Sequence, residues 1–417
     1  MPAFRSADDQ TSRDFALLET RGSSSNTRSH NLKVEDGQMQ SQSKFAKLAV
    51  LVFLASLLLS LSTLATAESD AVRAIRASAA TVPSNIPGIR SYAEPARGFN
   101  PVTATDEELA AYGFPSRPDK NAHPEQYAHW ERAMKLAKIH WNGELKALPG
   151  GGPKIPSGSP PLPEAVQPET TGPKQIQTNN ASGTVVTSGQ KTFNKNSIGD
   201  VIAEITVPTA EFPLDTKACS GEGYIVISSV GIDGFVFDTG NGYGFDPQLE
   251  GGVYEQVGCS GDRYYFAVVG WQGNYTVAFD VKPGDVVYAV ATTGGSNSDV
   301  YLEDMTSGVS ASYSVTTSGI VGHSANWMVE RMCCTDNQPS ALANTTNIAF
   351  GAAFAETENA KIYYPGSQAT TTEVLAMTDD AGDQTIEHVT QGSTGYQGQT
   401  GLWFETLNCA AVNGCTP

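Results

Sequence analysis

The stretch SANWMVERM, residues 324–332, places a carboxylate at the end of an otherwise apolar run. In an extended chain Trp327 and Val329 point to one side, Met328 and Glu330 to the other. Glu330 is then either the surface end of a strand or a base that takes a proton from water. Other catalytic patterns are weaker. The chain has no Gly-x-Ser-x-Gly elbow and no His-Glu-x-x-His helix. Beyond residue 176 it has only His323 and His388, too few to favour a Ser–His or Cys–His arrangement. Asp238-Thr239-Gly240 in FVFDTG looks like one half of a two-carboxylate aspartic site, in which two acids share a proton. A second Asp-Thr/Ser-Gly is absent, and the glycine-rich NGYGFDPQLEGG that follows makes this triplet a turn.

The elements that must position these residues come from texture and charge. The 417 residues are too many for one compact domain unless part is removed. Residues 1–47 form an N-terminal tail and charged lead, with Met39 starting a segment of ordinary signal length. Residues 48–67, LAVLVFLASLLLSLSTLATA, are uncharged and apolar and close on Ala65-Thr66-Ala67, which reads as a secretory signal. A single membrane anchor is the other reading of that block. All six cysteines fall between Cys219 and Cys415, an even number that after a secretory signal suggests three disulfides.

Residues 68–147 carry helical signals. TATDEELAAYGF opens on a capping threonine with acids behind it. In PEQYAHWERAMKLAKIHW, Tyr127, Trp130, Met134, Leu136 and Ile139 fall near helical spacing. Residues 148–175 are a Pro/Gly-rich linker. From 176 to 417, short Val/Ile/Tyr/Thr runs alternate with Gly/Asn/Asp/Ser turns, which predicts an all-β domain, an antiparallel two-sheet β-sandwich or barrel. That domain holds 26 Asp plus Glu against 7 Lys plus Arg, whereas residues 68–175 hold 12 of each sign. So acidic a surface argues against a nucleic-acid partner. It is tolerable in a protein working in acid, where carboxylates are protonated and self-repulsion falls.

Four stretches, in this order, resemble the glutamic endopeptidases, the eqolisins, over residues 179–360. VGIDG, residues 230–234, is similar to the family's Gly-Ile-Asp-Gly signature. VYEQVG, residues 253–258, is similar to the strand bearing the catalytic glutamine, VKPGDVVYAVA, residues 281–291, to a Gly-Asp strand entry, and SANWMVERM to the strand bearing the catalytic glutamate. LEDMTSG, residues 302–308, resembles the family's hairpin lying between them. The resemblance implies a sandwich of the concanavalin A-like, jelly-roll type behind an inactivating prosegment. It assigns catalysis to Glu330 and Gln256, with Asp233, Trp271 and Trp327 binding substrate or supporting the site. Three positions depart from the pattern. Ser229 and Ala181 stand where the family carries tryptophan, and Gly270 stands where an acid precedes the tryptophan. These residues line the family's groove, so the departures bear on substrate preference.

The chemistry suits those residue types. One carboxylate can take a proton from the attacking water and return it to the leaving nitrogen. A neutral side-chain amide can donate to the developing oxyanion. A carboxylate of ordinary pKa remains partly ionised in moderate acid. The expectation is a secreted, monomeric, acid-active endopeptidase on polypeptide substrates, with no metal or organic cofactor and no lasting membrane partner. It is made as a precursor whose residues 68–175 cover the groove, held by charge pairing that weakens in acid. The reading of another class is a β-sandwich carbohydrate-binding or adhesion module that has lost catalysis.

Overall fold

A computed structural model describes residues 70–140, 144–148, 174–178, 180–214, 219, 221, 223–238, 242–245, 248–271, 274–295, 297–317, 319–332, 340–365, 372–378, 385–393 and 400–406. The signal segment, most of the Pro/Gly-rich stretch, Thr239-Gly240, and the cysteines at 333, 334, 409 and 415 lie outside the described residues.

Three helices come first: α1 (Asp70–Ser78), α2 (Asp106–Ala111) and α3 (Pro124–Leu136). The strands used below are, in chain order, β1 (Ile89–Tyr92), β2 (Ile139–His140), β3 (Lys146–Ala147), β4 (Ala181–Thr187), β5 (Ile198–Thr206), β6 (Tyr224–Ile232), β7 (Leu249–Val257), β8 (Arg263–Trp271), β9 (Asn274–Asp280), β10 (Val286–Thr293), β11 (Ser298–Asp304), β12 (Val309–Val315), β13 (Ser324–Glu330), β14 (Ile348–Thr357), β15 (Thr372–Thr378), β16 (Thr385–Ser393) and β17 (Thr400–Thr406).

They build the expected all-β sandwich. The front sheet runs β15–β4–β13–β6–β7–β8–β9–β3, antiparallel throughout. The back sheet runs β17–β14–β5–β10–β11–β12. The two join at one edge through β16, which pairs with both β15 and β17. Side chains on the inner faces interleave in one core, in which Val226, Val230, Val253 and Val329 of the front sheet meet Ala203, Ala289, Val300 and Leu302 of the back. Trp327 spans the gap. It is fully buried, and its Nε1 donates to the Ile202 carbonyl at 3.0 Å.

The N-terminal helical segment packs on the outer face of the back sheet. Leu109, Phe114, Trp130, Ala133 and Met134 bury against Ile202, Tyr288, Val290, Tyr301 and Phe354. The capping box at Thr105 forms as its sequence requires, with Glu108 N donating to Thr105 Oγ1 at 3.2 Å and Thr105 N to Glu108 Oε2 at 2.8 Å. The helical pattern through Ile139 does not persist. α3 stops at Leu136, because Lys138 N donates to the Gly308 carbonyl and the chain turns into β2, parallel to β12. Among the described residues, the segment reaches the front sheet where β3 pairs with β9 and Leu148 joins the buried cluster of Ile225, Ile227 and Tyr254. The predicted linker ends earlier than 175, since Lys174–Thr178 pairs in parallel with β15.

Ion pairs cross this contact: Arg73 with Glu358, and His129 and Arg132 with Glu204. Burial tends to raise the Glu204 carboxyl, but the His129 hydrogen bond and the Arg132 charge hold it below its ordinary value. That contribution is complete above the carboxylate's unfolded pKa and is lost as pH falls through the lowered folded value. Glu303 and Glu356 behave oppositely. Burial foremost, aided by Asp304 and Glu204 for one and by Asp200 and Glu358 for the other, pushes each up to about 8. Their contribution is complete below roughly pH 4.3, the unfolded value, and is lost as pH rises toward 8. Acid therefore weakens the pairing only below the depressed Glu204 value. The melting temperature is expected to be highest near pH 4–5 and to fall by pH 8, with Glu303→Gln and Glu356→Gln flattening the fall. Calorimetry across that range checks it, and an unchanged slope in both variants refutes it.

Candidate active site

The face of the front sheet turned away from the core carries the polar groups. Period-two alternation decides which they are, since residues opposite one another across antiparallel strands share a face. One row holds Glu330, Ile227, Tyr254 and Phe266 on β13, β6, β7 and β8. The next holds Met328, Ser229, Gly252 and Val268, and the one beyond holds Asn326, Gly231, Glu250 and Gly270. On the other side of the Glu330 row, Gln256 stands opposite Ile225 and Tyr264.

Glu330 thus faces away from the core, as the alternation in SANWMVERM requires, and is 4% exposed. Ser229 Oγ donates to its Oε1 at 3.0 Å. Gln256 shares the face and is also buried. The structure does not set the two side by side. They stand two strands and two residues apart, roughly 12 Å between Cα atoms from strand spacing and rise. Ile225, Ile227 and Tyr254 lie between them, in one buried cluster with Leu148. The Ser229 bond also lies on the side of Glu330 away from Gln256. Arg331 Nε donates to the Ser340 carbonyl at 2.7 Å.

Asp233 is a turn holder. At φ +58 it sits in the left-handed region, uncommon for a residue with a Cβ. Its carboxylate accepts from the backbone N–H groups of Val321, Gly322, His323 and Ser324, at 2.6 Å from Val321 and 3.2 Å from Gly322 and Ser324. Its carbonyl accepts from Asn326 Nδ2 at 2.6 Å. Trp271 and Trp327 belong to the core side: Trp327 is central to it and Trp271 packs against it. Neither stands on the face that bears Glu330.

Sequence reasoning named Ser229 only as a departure from the family's pattern and did not single out Asn326 or Glu250, which share the face with Glu330. The signal was present in two strands read at period two. In YIVISSVGI the positions facing out with Ile227 are Ser229 and Gly231, and in LEGGVYEQV those facing out with Gln256 are Tyr254, Gly252 and Glu250. Glu250 is held by the Tyr275 hydroxyl of β9. The front sheet is tied at its end by a disulfide, Cys219–Cys259, between the lead into β6 and the turn after β7.

An open antiparallel sandwich with carboxylates and amides on one outer face, and this sequence, define a glutamic-type peptidase, a hydrolase. The profile of the peptidase A4 family matches residues 179–396, just over half of the chain, and the chain belongs to that family. Among solved structures it is similar to scytalido-glutamic peptidase with a peptide-based transition state analog, at 15% identity over 55% of this chain and 98% of that one, with a TM-score of 0.39. Tailspike protein 2 of Escherichia coli O157:H7 bacteriophage CAB120 is similar at 14% identity over 42% of this chain and 22% of that one, with a TM-score of 0.21. No curated protein sequence matches the chain.

Asp233→Ala removes an acceptor that serves four backbone donors. A hydrogen bond to a charged group is worth about 1.5–3 kcal/mol, so a loss of at least about 3 kcal/mol is expected. Urea melts of the variant measure it, and a loss below about 1 kcal/mol would show that the turn holds without the carboxylate.

Proposed function

We propose that this protein is a secreted endopeptidase that hydrolyses extended polypeptides in acid, using a carboxylate to activate water and a side-chain amide to hold the oxyanion. The observation that carries this reading is the outer face of β13, β6 and β7. There Glu330, Glu250, Asn326 and Gln256 stand on one surface, opposite the core, in a chain of a glutamic peptidase family. Such a face accepts a peptide in extended form, the conformation that lies most readily along strands. The carboxylate takes a proton as water attacks the carbonyl carbon, and returns it to the nitrogen as the C–N bond breaks. By the sequence resemblance the base is Glu330 and the amide is Gln256.

Digestion of casein at about pH 3–4, where carboxylates of ordinary pKa are partly ionised, tests the class. Cleavage that pepstatin does not inhibit, and that Asp238→Asn leaves at the parent rate, is the expected result. Activity abolished by pepstatin or by Asp238→Asn would assign the chemistry to an aspartic site.

The apolar block at 48–67 and the neutral segment behind it support export as a precursor. N-terminal sequencing of the secreted, acidified protein is expected to find a chain that begins at or before Lys174 and well past Leu148. A fully active chain that still begins near Glu68 would end the precursor reading.

A further inference from the structure

We infer that residues 70–148 are a resident part of the mature protein, a first chain that stays seated on the sandwich after the stretch behind Leu148 is cut. This goes beyond the proposed function and takes from it only that cut. A segment that serves solely to block a groove can lie on the surface and leave no hole behind. This one supplies interior side chains. Ile89 and Leu145, both 2% exposed, belong to the core between the two sheets, in one cluster with Val226, Val253, Ala289 and Leu302. Asn85 ties the two together: its Nδ2 donates to the Leu145 carbonyl at 2.7 Å, and its Oδ1 accepts from Leu145 N at 3.1 Å. Ile89 pairs with Val315 of β12, and Thr316 N donates to the Gly88 carbonyl at 2.7 Å. Lys146–Ala147 pairs with β9. The segment thus meets the core at the side opposite β16, where the two sheets are not joined. Loss of Ile89 and Leu145 would leave a gap there, and a core gap destabilises in proportion to its volume.

A second seat lies on the outer face of the back sheet. Ile202, Tyr288, Val290, Tyr301 and Phe354 are buried there in one cluster with Leu109, Phe114, Trp130 and Met134 of the segment. Without the segment those five large side chains would face water together, the kind of patch that marks a binding surface. Directional bonds fix the fit. Tyr92 Oη donates to Asp299 Oδ1 at 2.7 Å, and Gln126 Nε2 donates to Tyr364 Oη at 2.6 Å. Arg73 pairs with Glu358, and Arg132 with Glu204. Leu148, beside the cut, joins the cluster on the face that bears Glu330, and the groups that seat the rest of the segment stand elsewhere. A cut behind Leu148 therefore frees the end nearest the candidate site and leaves both seats in place.

The experiment uses the full-length chain with a recognition sequence for an added, site-specific protease placed within 149–173, so that the cut does not depend on the protein's own activity. Gel filtration of the cut protein at about pH 4–5, where the melting temperature is expected to be highest, should give one peak. A denaturing gel should resolve that peak into two chains in equal amount, with two N-terminal sequences. Trp130→Ala, which opens the outer seat, is expected to raise the dissociation constant of the cut pair at least about 10-fold, read by dilution before gel filtration. Ile89→Ala tests the inner seat in the same way. A larger chain that elutes alone as a single species, melts with the uncut protein and cleaves casein at its rate overturns the inference. Equal dissociation constants for the parent and both variants overturn the seats named here. Should either variant fail to fold before the cut, the composition of the parent's peak decides. If neither the uncut nor the cut protein cleaves casein in acid, the peptidase reading fails, and the same peak still decides whether the segment is resident.

Discussion

The carboxylate of Asp233 holds the candidate site together. It ends β6 in a left-handed turn, and its two oxygens gather four successive backbone N–H groups from the loop that leads into β13. A strand that enters a sheet one residue out of step presents its other face. By fixing where Ser324 begins, Asp233 fixes that Trp327 enters the core and that Asn326, Met328 and Glu330 face outward. Its carbonyl also holds the Asn326 amide directly. Register, burial and the orientation of the Asn326 amide thus converge on a residue that the family resemblance marks as binding substrate or supporting the site.

Much of this is legible in the sequence. Alternation in SANWMVERM places Glu330 on the side away from Trp327, and the short Val/Ile/Tyr/Thr runs between turns call for an antiparallel sandwich or barrel. The capping box at Thr105 is local chemistry, and it formed. What the sequence hid is what depends on pairing partners. Alternation says which residues of a strand share a face. It does not say that Gln256 stands opposite Ile225 while Glu330 stands opposite Ile227, nor that Glu250 and Asn326 flank Gly231 in one row. Register between strands distant in sequence is set by tertiary packing. The end of α3 was hidden for the same reason, since the acceptor that draws off Lys138 N–H is Gly308, far along the chain. Trp271 and Trp327 stand on the core side of the front sheet, and for Trp271 that side is set by its register opposite Leu249, which the sequence of its own strand does not show.

The back of the molecule obeys a different electrostatic rule from the front. Tyr288, Tyr301 and Glu303 are buried on the face of the back sheet that carries the helical segment, where charge is costly, and Glu204 stands half-buried beside them. The Tyr301 hydroxyl donates to Glu303 at 2.8 Å, and Tyr92 donates to Asp299 at 2.7 Å. Glu204 has His129 and Arg132 at hand and stays readily ionised, and Glu358 pairs with Arg73; Glu303 favours its neutral form. This separation lets a strongly acidic domain bury acids without a matching set of basic residues.

The short strands of the N-terminal segment also have a bearing on solubility. β1 and β2 lie along β12, the last strand of the back sheet, and β3 lies along β9, the last of the front. Both sheets are joined at one side through β16, so their free borders fall at the other, and the same segment occupies both. A strand border with unsatisfied N–H and C=O groups is a template for pairing with another molecule. While the segment is in place, β1 and β2 pair with Tyr313–Val315 and Val309–Ser310 of one border and β3 with Thr276 and Val277 of the other, which shortens the stretch each border offers to a neighbour. Whatever detaches the segment frees those pairing groups on both borders at once. The high density of negative charge on the sandwich then becomes the remaining force that keeps one copy from another.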